Sequence, residues 1–497
     1  MKNEWKFIGI YLGAESGRCV AAILKNNKII LNEVHRFNTL CFKSETGFHW
    51  DVLTIFQEII TGLTIAQKEF GPDFDGIGVD TWGVDYVPVD QAGRVLGYPY
   101  HYRDSRTDGM MEEAFKIIPK ETLYNKTGNQ PAQYNTLFQL LAEKKQKLNL
   151  LNIADKILLM PDFFNFMLCG VLKSEYTIAS TTNLTDPYTR NWSKELIQLF
   201  DLPENIFPGM IEPGERLGTF LPSISKKTGL NADIPVFTVA GHDTASAVAA
   251  IPASDCNWAF LSSGTWSLMG IETQEPIITS KGLNCNFTIE GGVNGTTQLL
   301  KNIIGHWPVQ ECRRSWQDKG KEYSYSELTE LAKGESYCGA WVDLNNPEFL
   351  KSGEMPEKII NYLQKTNQKF KTDEGFIIRV ILESLAFSYR KTIKEIEEIT
   401  GTNIEQLYIV GGGIKNELLT QLTADATGKI VLAGPIEGAI IGNIGIQAIA
   451  AGAIPDIQTL RNITADSFEV KTYTPADKDY FSLNENEFEK IISHVRA

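Results

Sequence analysis

The chain has 497 residues, too many for a single hydrophobic core, so two domains of similar size are expected. Its 43% hydrophobic and 22% charged residues are those of an ordinary globular protein, and a formal net charge of -14 opposes nucleic acid or an anionic membrane as the main partner. Seven scattered cysteines with no CxxC pair argue against a zinc site and against a disulfide framework.

The N-terminus enters a strand-like run directly, with Glu4 in it and no long apolar region before a cleavage site. A cytoplasmic protein without a signal peptide is expected. Residues 5–10, 19–24 and 29–31 read as three antiparallel strands, the first two joined by a turn through Gly13 and Gly17. Asp51 then precedes Val52, Ile55, Phe56, Ile59, Ile60, Leu63 and Ala66, a helical spacing behind a good N-cap. Two short strands follow at 76–80 and 85–90, around a turn at Thr81-Trp82-Gly83. Asp80 and Asp85 read either as hydroxyl acceptors or as turn residues, and Trp82 as a core side chain in preference to a sugar-stacking one. Arg103, Asp104 and Arg106 read either as a charge network at the mouth of a cleft or as a solvated loop.

The most informative stretch is 240–247, followed by 260–270. Asp243 stands at a strand-to-helix junction, where a carboxylate can take a proton from a hydroxyl, and Ser262-Ser-Gly-Thr265 makes a tight turn whose N–H groups can face phosphate oxygens. The plainer alternatives are a helix N-cap and a hairpin turn. The domain boundary is placed near residue 245, giving halves 1–245 and 246–497. In the second half, 258–261, the turn and 266–271 repeat the opening pattern of strand, glycine turn and strand, with a further strand near 286–289. Two such halves facing each other would bring both turns to one cleft, and Lys301, Asn302, Trp307 and Gln310 would line the second half's share if they lie on a helix. A long helix is expected over 375–400, then a strand leading into Gly411-Gly-Gly413. The apolar run 436–454 carries Glu437, Asn443 and Gln447, so it reads as a buried helix and not a membrane span.

The segments 12–18, 80–86, 102–107, 160–164, 242–248, 261–270, 301–305, 409–413 and 442–447, taken in order, resemble the FGGY carbohydrate kinases of the actin/hexokinase/Hsp70 superfamily, and Asp80-Thr-Trp-Gly-Val-Asp85 is similar to their rhamnulokinase branch. The resemblance implies an α/β protein of two ribonuclease-H-like domains on a central cleft. It implies ATP-dependent, Mg2+-assisted phosphorylation of L-rhamnulose at its C1 hydroxyl, with a small-molecule sugar and ATP as partners. By the same resemblance Asp243 is the proton acceptor. Gly83, His242, Asp243, Thr244 and Asn302 contact the sugar, and Ala14, Glu15, Ser16, Gly17, Arg18, Thr265, Gln310 and Gly412 bind the nucleotide. Such roles suit a transfer in which positioning and charge neutralisation do most of the catalytic work.

One position departs from the family pattern. Tyr11 stands where the family carries an aspartate that helps hold magnesium, and a phenol with a pKa near ~10 offers no anionic oxygen at neutral pH. Weaker metal affinity is expected, with a loss on the order of a hundredfold in rate. Two readings follow: an active sugar kinase of altered metal dependence, or a silent sugar-binding homologue. A dehydrogenase is disfavoured because Gly9, Gly13 and Gly17 do not form GxGxxG and lead into a strand. No GxxxxGK[ST] loop occurs.

Overall fold

A computed structural model describes residues 2–146, 150–254 and 257–494. The chain forms two compact units, neither of them a continuous stretch of sequence. The first comprises Met1–Ser254, Glu272–Leu299 and Gly438–Phe468, and the second Asp255–Ile271, Leu300–Glu437 and Glu469–Ala497.

The first unit is built on a mixed six-stranded sheet. Strand β1 (Glu4–Leu12) lies at its centre, with β2 (Ser16–Lys25) and then β3 (Lys28–Asn38) antiparallel on one side. On the other side the strand Gly76–Thr81 runs parallel to β1, followed by Pro235–Phe237 and Arg216–Thr219. Side chains alternate across a strand, and β1 shows the consequence. Ile8, Ile10 and Leu12 join Cys19 and Ala21 on one face, while Phe7 joins Val20, Ala22 and Leu24 on the other. Because both faces are covered, these strands are apolar almost throughout.

Helix α1 (Val52–Phe70) covers the first face with Ile55, Phe56, Ile59, Leu63 and Ala66. Its start is fixed by Asp51, whose carboxylate accepts the Thr54 N–H at 3.1 Å, as the sequence predicts. The other face is covered by Ile440, Ile441, Ile444 and Ala448 of the helix Gly438–Ala450. The apolar run near the C-terminus is therefore a core helix, and among the described residues no helix is long and apolar enough to cross a membrane.

In the second unit the strand Trp258–Ser263 pairs antiparallel with Trp266–Thr273 and parallel with Gln406–Val410. Ile430–Ala433 continues the parallel pairing and Lys471–Tyr473 closes it antiparallel. The helix Glu374–Thr400 follows the predicted pattern closely, capped by Asp373 and ended by Gly401. The strand predicted near 286–289 is found at Phe287–Gly291, within the first unit. The helical condition is met by Trp307 and Gln310 but not by Lys301 and Asn302, which lie on a strand, Thr297–Ile304. That helix, Trp307–Asp318, has Pro308 in its first turn, where a residue without an N–H is tolerated and further inside is not. The helix cannot extend back to 301. The six described cysteines are all free.

The helix Gly438–Ala450 touches the short helix Asp243–Ala249 backbone to backbone. A methyl group on Gly442 would overlap the Ser246 carbonyl oxygen. Replacing Gly442 with Ala is expected to cost roughly 1–3 kcal/mol of stability through overpacking, read as a lowered midpoint in chemical denaturation.

Candidate active site

The elements of the first unit converge on a small group of ionisable side chains. The strand Gly76–Thr81 ends beside the segment before the helix Asp243–Ala249: the Thr81 N–H donates to the Gly241 carbonyl at 2.8 Å, and Thr81 and His242 form a parallel bridge. The Gly241 N–H donates to Glu175 Oε2 at 2.9 Å, and the His242 N–H to Thr177 Oγ1 at 3.2 Å. Glu175 also accepts from Thr177 and Ile178, and its own N–H donates to Asp162 Oδ1 at 3.0 Å. His242 and Asp243 are thus presented on a backbone tied down from two sides.

Asp243 is the first residue of its helix, while His242 occupies the cap position without a side-chain cap bond. The N-cap explanation of Asp243 therefore drops out. Its carboxylate is about a quarter exposed and lies 3.5 Å from His242 Nε2, and it accepts the Thr244 hydroxyl at 3.3 Å. On its far side His242 Nδ1 lies 3.1 Å from Glu290 Oε2. Burial drives the imidazole down, but the carboxylates of Glu290, Asp243 and Glu175 outweigh it and push its pKa up to about 9. His242 is therefore a cation at neutral pH. Burial raises the pKa of Asp243, and the His242 charge beside it opposes that rise.

Asp80 completes the group. It is fully buried, accepts from Asn443 Nδ2 at 2.5 Å through Oδ1, and has no hydrogen-bond partner for Oδ2 among the described residues. Desolvation holds its pKa well above the ordinary range, the Asn443 bond opposing, and Asp243, Arg18 and His242 all act on it. Tyr11 sits beside Asp80 in the parallel register and opposite Arg18 in the antiparallel one, with the guanidinium 4.8 Å from the centre of its ring. A methyl group on Gly13 would lie 2.8 Å from the Tyr11 phenol oxygen, so the bare turn makes room for the ring.

Residues 14–18 form the β1–β2 turn and the start of β2. The Gly13 N–H donates to the Ser16 carbonyl at 3.0 Å, Glu15 is exposed, and Gly17 is buried against the Phe37 ring. Gly83 follows Trp82 and precedes Val84, whose φ of +69° is rare for a branched side chain. That conformation is held by the Val84 N–H donating to Thr181 Oγ1 at 3.1 Å and by its carbonyl accepting from Thr136 Oγ1 at 2.6 Å.

Several polar residues singled out in the sequence turn out to hold the scaffold. Trp82 is a core side chain packed at a tilt against Trp50, with ring centres 4.2 Å apart. Asp85 accepts from both indoles, at 2.6 Å from Trp50 and 3.0 Å from Trp82, and from Gln139 at 2.9 Å. Asp104 caps the turn at 105–107, and Arg106 pairs with buried Glu143 at 2.9 Å. Arg103 is exposed over the Tyr102 ring. Neither a solvated loop nor a substrate-facing network describes Asp104 and Arg106: they are internal braces.

A second set of predicted residues gathers in the second unit. The turn 262–265 is fastened to the start of the helix Trp307–Asp318 by His306 N–H to Gly264 O at 3.0 Å and Gln310 Nε2 to Thr265 Oγ1 at 3.1 Å. A methyl group on Gly413 would overlap Ser263 Oγ, which brings 411–413 against the same turn. Thr265, Gln310 and Gly412 therefore share one surface, and the space above Gly412 is open. Asn302 is exposed on its strand, and Lys301 pairs with Glu395 at 2.7 Å.

Sequence reasoning missed Glu175, Glu290 and the bond from Asn443 to Asp80. The available signal was acidic residues inside otherwise apolar strands, most visibly Glu290 in Phe287–Gly291, a pattern that suggests a buried partner. Among the described residues no group of three or more His, Cys, Asp or Glu is placed to hold a metal ion.

The cluster carries a pH signature. Asp85, Glu175 and His242 have pKa values of about 6, about 7 and about 9, above their ordinary 3.8, 4.5 and 6.5. Each binds its proton more tightly folded than unfolded, so the stability it contributes is present at low pH and lost as pH rises through the folded value. The denaturation midpoint is expected to fall from about pH 4 to about pH 9, and Glu175→Gln to flatten the part of that decline between about pH 4.5 and pH 7. Denaturant titrations across that range check both.

Residues 7–250 match the N-terminal domain, and residues 259–451 the C-terminal domain, of the FGGY family of carbohydrate kinases. The chain is 42% identical over 474 residues to a rhamnulokinase of Bacteroides thetaiotaomicron, covering 95% of this chain and 96% of that one. It is 39% identical to one of Bacillus subtilis, covering 95% and 96%. In fold it is similar to a ligand-bound xylulose kinase from Lactobacillus acidophilus (TM-score 0.82, 15% identity, 99% and 98% covered) and to Plasmodium falciparum glycerol kinase with ADP (TM-score 0.80, 15% identity, 98% of each). The protein belongs to the FGGY family and is a carbohydrate kinase.

Proposed function

We propose that this kinase transfers the γ-phosphoryl group of ATP to the C1 hydroxyl of L-rhamnulose, giving L-rhamnulose 1-phosphate, with Asp243 as general base. The observation that carries the reading is a carboxylate in the first turn of a helix that is partly exposed and has an imidazolium 3.5 Å away to keep it charged. The choice of sugar rests on relatives near 40% identity that are rhamnulokinases.

Gly83, His242, Thr244 and Asn302 would orient the sugar, and as a cation His242 can only donate to sugar oxygens. The hydroxyl oxygen attacks the γ-phosphorus as the bond to the departing ADP oxygen breaks, and its proton passes to Asp243 late in a loose transition state. Residues Ala14, Glu15, Ser16, Gly17 and Arg18, with Thr265, Gln310 and Gly412, would hold the nucleotide. In domain terms, 1–245 carries the sugar and the base, and 246–497 binds most of the nucleotide. The residues present do not form a protein cage for magnesium, because Tyr11 gives no anionic oxygen and the described residues include no ligand cluster. Mg2+ enters as part of the nucleotide substrate, and no step is assigned to a protein-held ion.

A second reading, a sugar-binding homologue without turnover, is favoured by Tyr11 alone. Coupled measurement of ADP release over a panel of ketoses separates the two: sugar-dependent turnover highest with L-rhamnulose is expected. Sugar binding without turnover would replace the first reading by the second. Asp243→Asn is expected to lower kcat by ~10²–10⁴ while sugar still binds. Tyr11→Asp is expected to raise the rate by about a hundredfold at low Mg2+. An unchanged rate and metal requirement would mean that position 11 has no part in handling the ion.

A further inference from the structure

Glu290 is a buried acid with no place in the reading above. It lies on the strand Phe287–Gly291, and its side chain is 8% exposed. The backbone on both sides of it is fixed. The Ile289 N–H donates to Gly128 O at 2.9 Å, the Ile289 carbonyl accepts from Asn129 Nδ2 at 2.6 Å, and the Gly291 N–H donates to Ser180 Oγ at 2.7 Å. The backbone that carries the carboxylate is therefore held in place. It meets His242 Nδ1 at 3.1 Å, while His242 Nε2 faces Asp243 at 3.5 Å. One imidazole thus stands between a carboxylate that touches nothing of the reaction and the carboxylate that does the work.

We infer that Glu290 is a positioning residue for phosphoryl transfer: from ion-pair distance it favours the doubly protonated His242 ring, whose charge lets the partly exposed Asp243 keep its own. The inference rests on Asp243 being the base. It is the sum of opposed effects. Glu290 repels Asp243 directly, but its effect through the imidazolium is larger, since the charge of His242 acts on Asp243 more strongly than that of Glu290 does. The other charged groups facing His242 are Glu175, from the segment before the helix Tyr176–Ala179, and Asp80, from the strand Gly76–Thr81. Glu175 and Asp80 both have raised pKa values, and Arg18 acts on Asp80. Tyr134 faces Glu290, and burial raises its pKa to about 12, so it is neutral in the working range. Glu290 has the largest effect favouring the charged ring.

The test uses the full chain and two readouts. In the first, the imidazole resonances of isotope-labelled protein are titrated without sugar or nucleotide, with His242 assigned through a His242→Asn variant. Titration of His242 near pH 9 in the wild type, moving to lower pH in Glu290→Gln, is expected; a wild-type ring that titrates at or below pH 6.5 overturns the inference without any variant having to fold. In the second, the pH dependence of kcat/KM is measured. Glu290→Gln is expected to move the acid limb upward and to lower kcat about tenfold near pH 7 with KM little changed, and Glu290→Asp to recover part of the loss. An acid limb that stays in place overturns the inference. If the wild type transfers no phosphoryl group to any ketose, the base assignment fails, and the resonance titration still reports on the ion pair separately.

Discussion

The charge on one buried imidazole is the constraint around which the first unit is organised. Taking ionisable groups out of water costs several kcal/mol each unless they are paired, and here four carboxylates, Asp80, Glu175, Asp243 and Glu290, surround a single His242. Burial makes Asp80 and Glu175 hold their protons more tightly than usual, and the charge on His242 opposes the repulsion between Asp243 and Glu290, which lie on either side of it. The surrounding architecture fixes that geometry. Asp162 orients Glu175, Glu175 holds the Gly241 N–H, the strand Gly76–Thr81 holds the Gly241 carbonyl, and Asn443 satisfies one oxygen of Asp80. The other oxygen of Asp80 remains unsatisfied among the described residues, a cost that a fold bears most readily at a place of function.

Much of the scaffold was legible because it depends on near neighbours in sequence. The alternation of apolar residues in β1 and β2, the Asp51 cap of α1 and the long helix ending at Gly401 all follow from periodicity and capping. Asp243 was legible as an acid at a strand-to-helix junction. Glu175 and Glu290 were not, because their meaning comes from burial and from a partner 48 to 67 residues away in the chain. The misplacing of Lys301 and Asn302 has a local cause: Pro308 already marked where the helix starts. Asp85 and Arg106, left open between a functional and a structural role, show the opposite difficulty. Strongly polar side chains near a candidate site look functional in sequence, yet two indoles and Glu143 absorb them into the scaffold.

Tyr11 alters the site without disturbing the sheet. It keeps the register of β1 with both neighbours, and its ring lies against Arg18 while Gly13 leaves room for the phenol. An aromatic ring under a guanidinium satisfies that cation by its quadrupole where a carboxylate would do so by charge. The ring leaves the cation a partner, and it brings no negative charge to the turn.

The discontinuity of the first unit has a bearing on synthesis. Its sheet is covered on one face by Gly438–Ala450, which the ribosome delivers only after some nine-tenths of the chain. Phe7, Val20 and Ala22 therefore wait, uncovered, through most of translation, and the nascent polypeptide is exposed to aggregation or chaperone capture for that interval. Closure of that sheet face has to wait for the helix Gly438–Ala450.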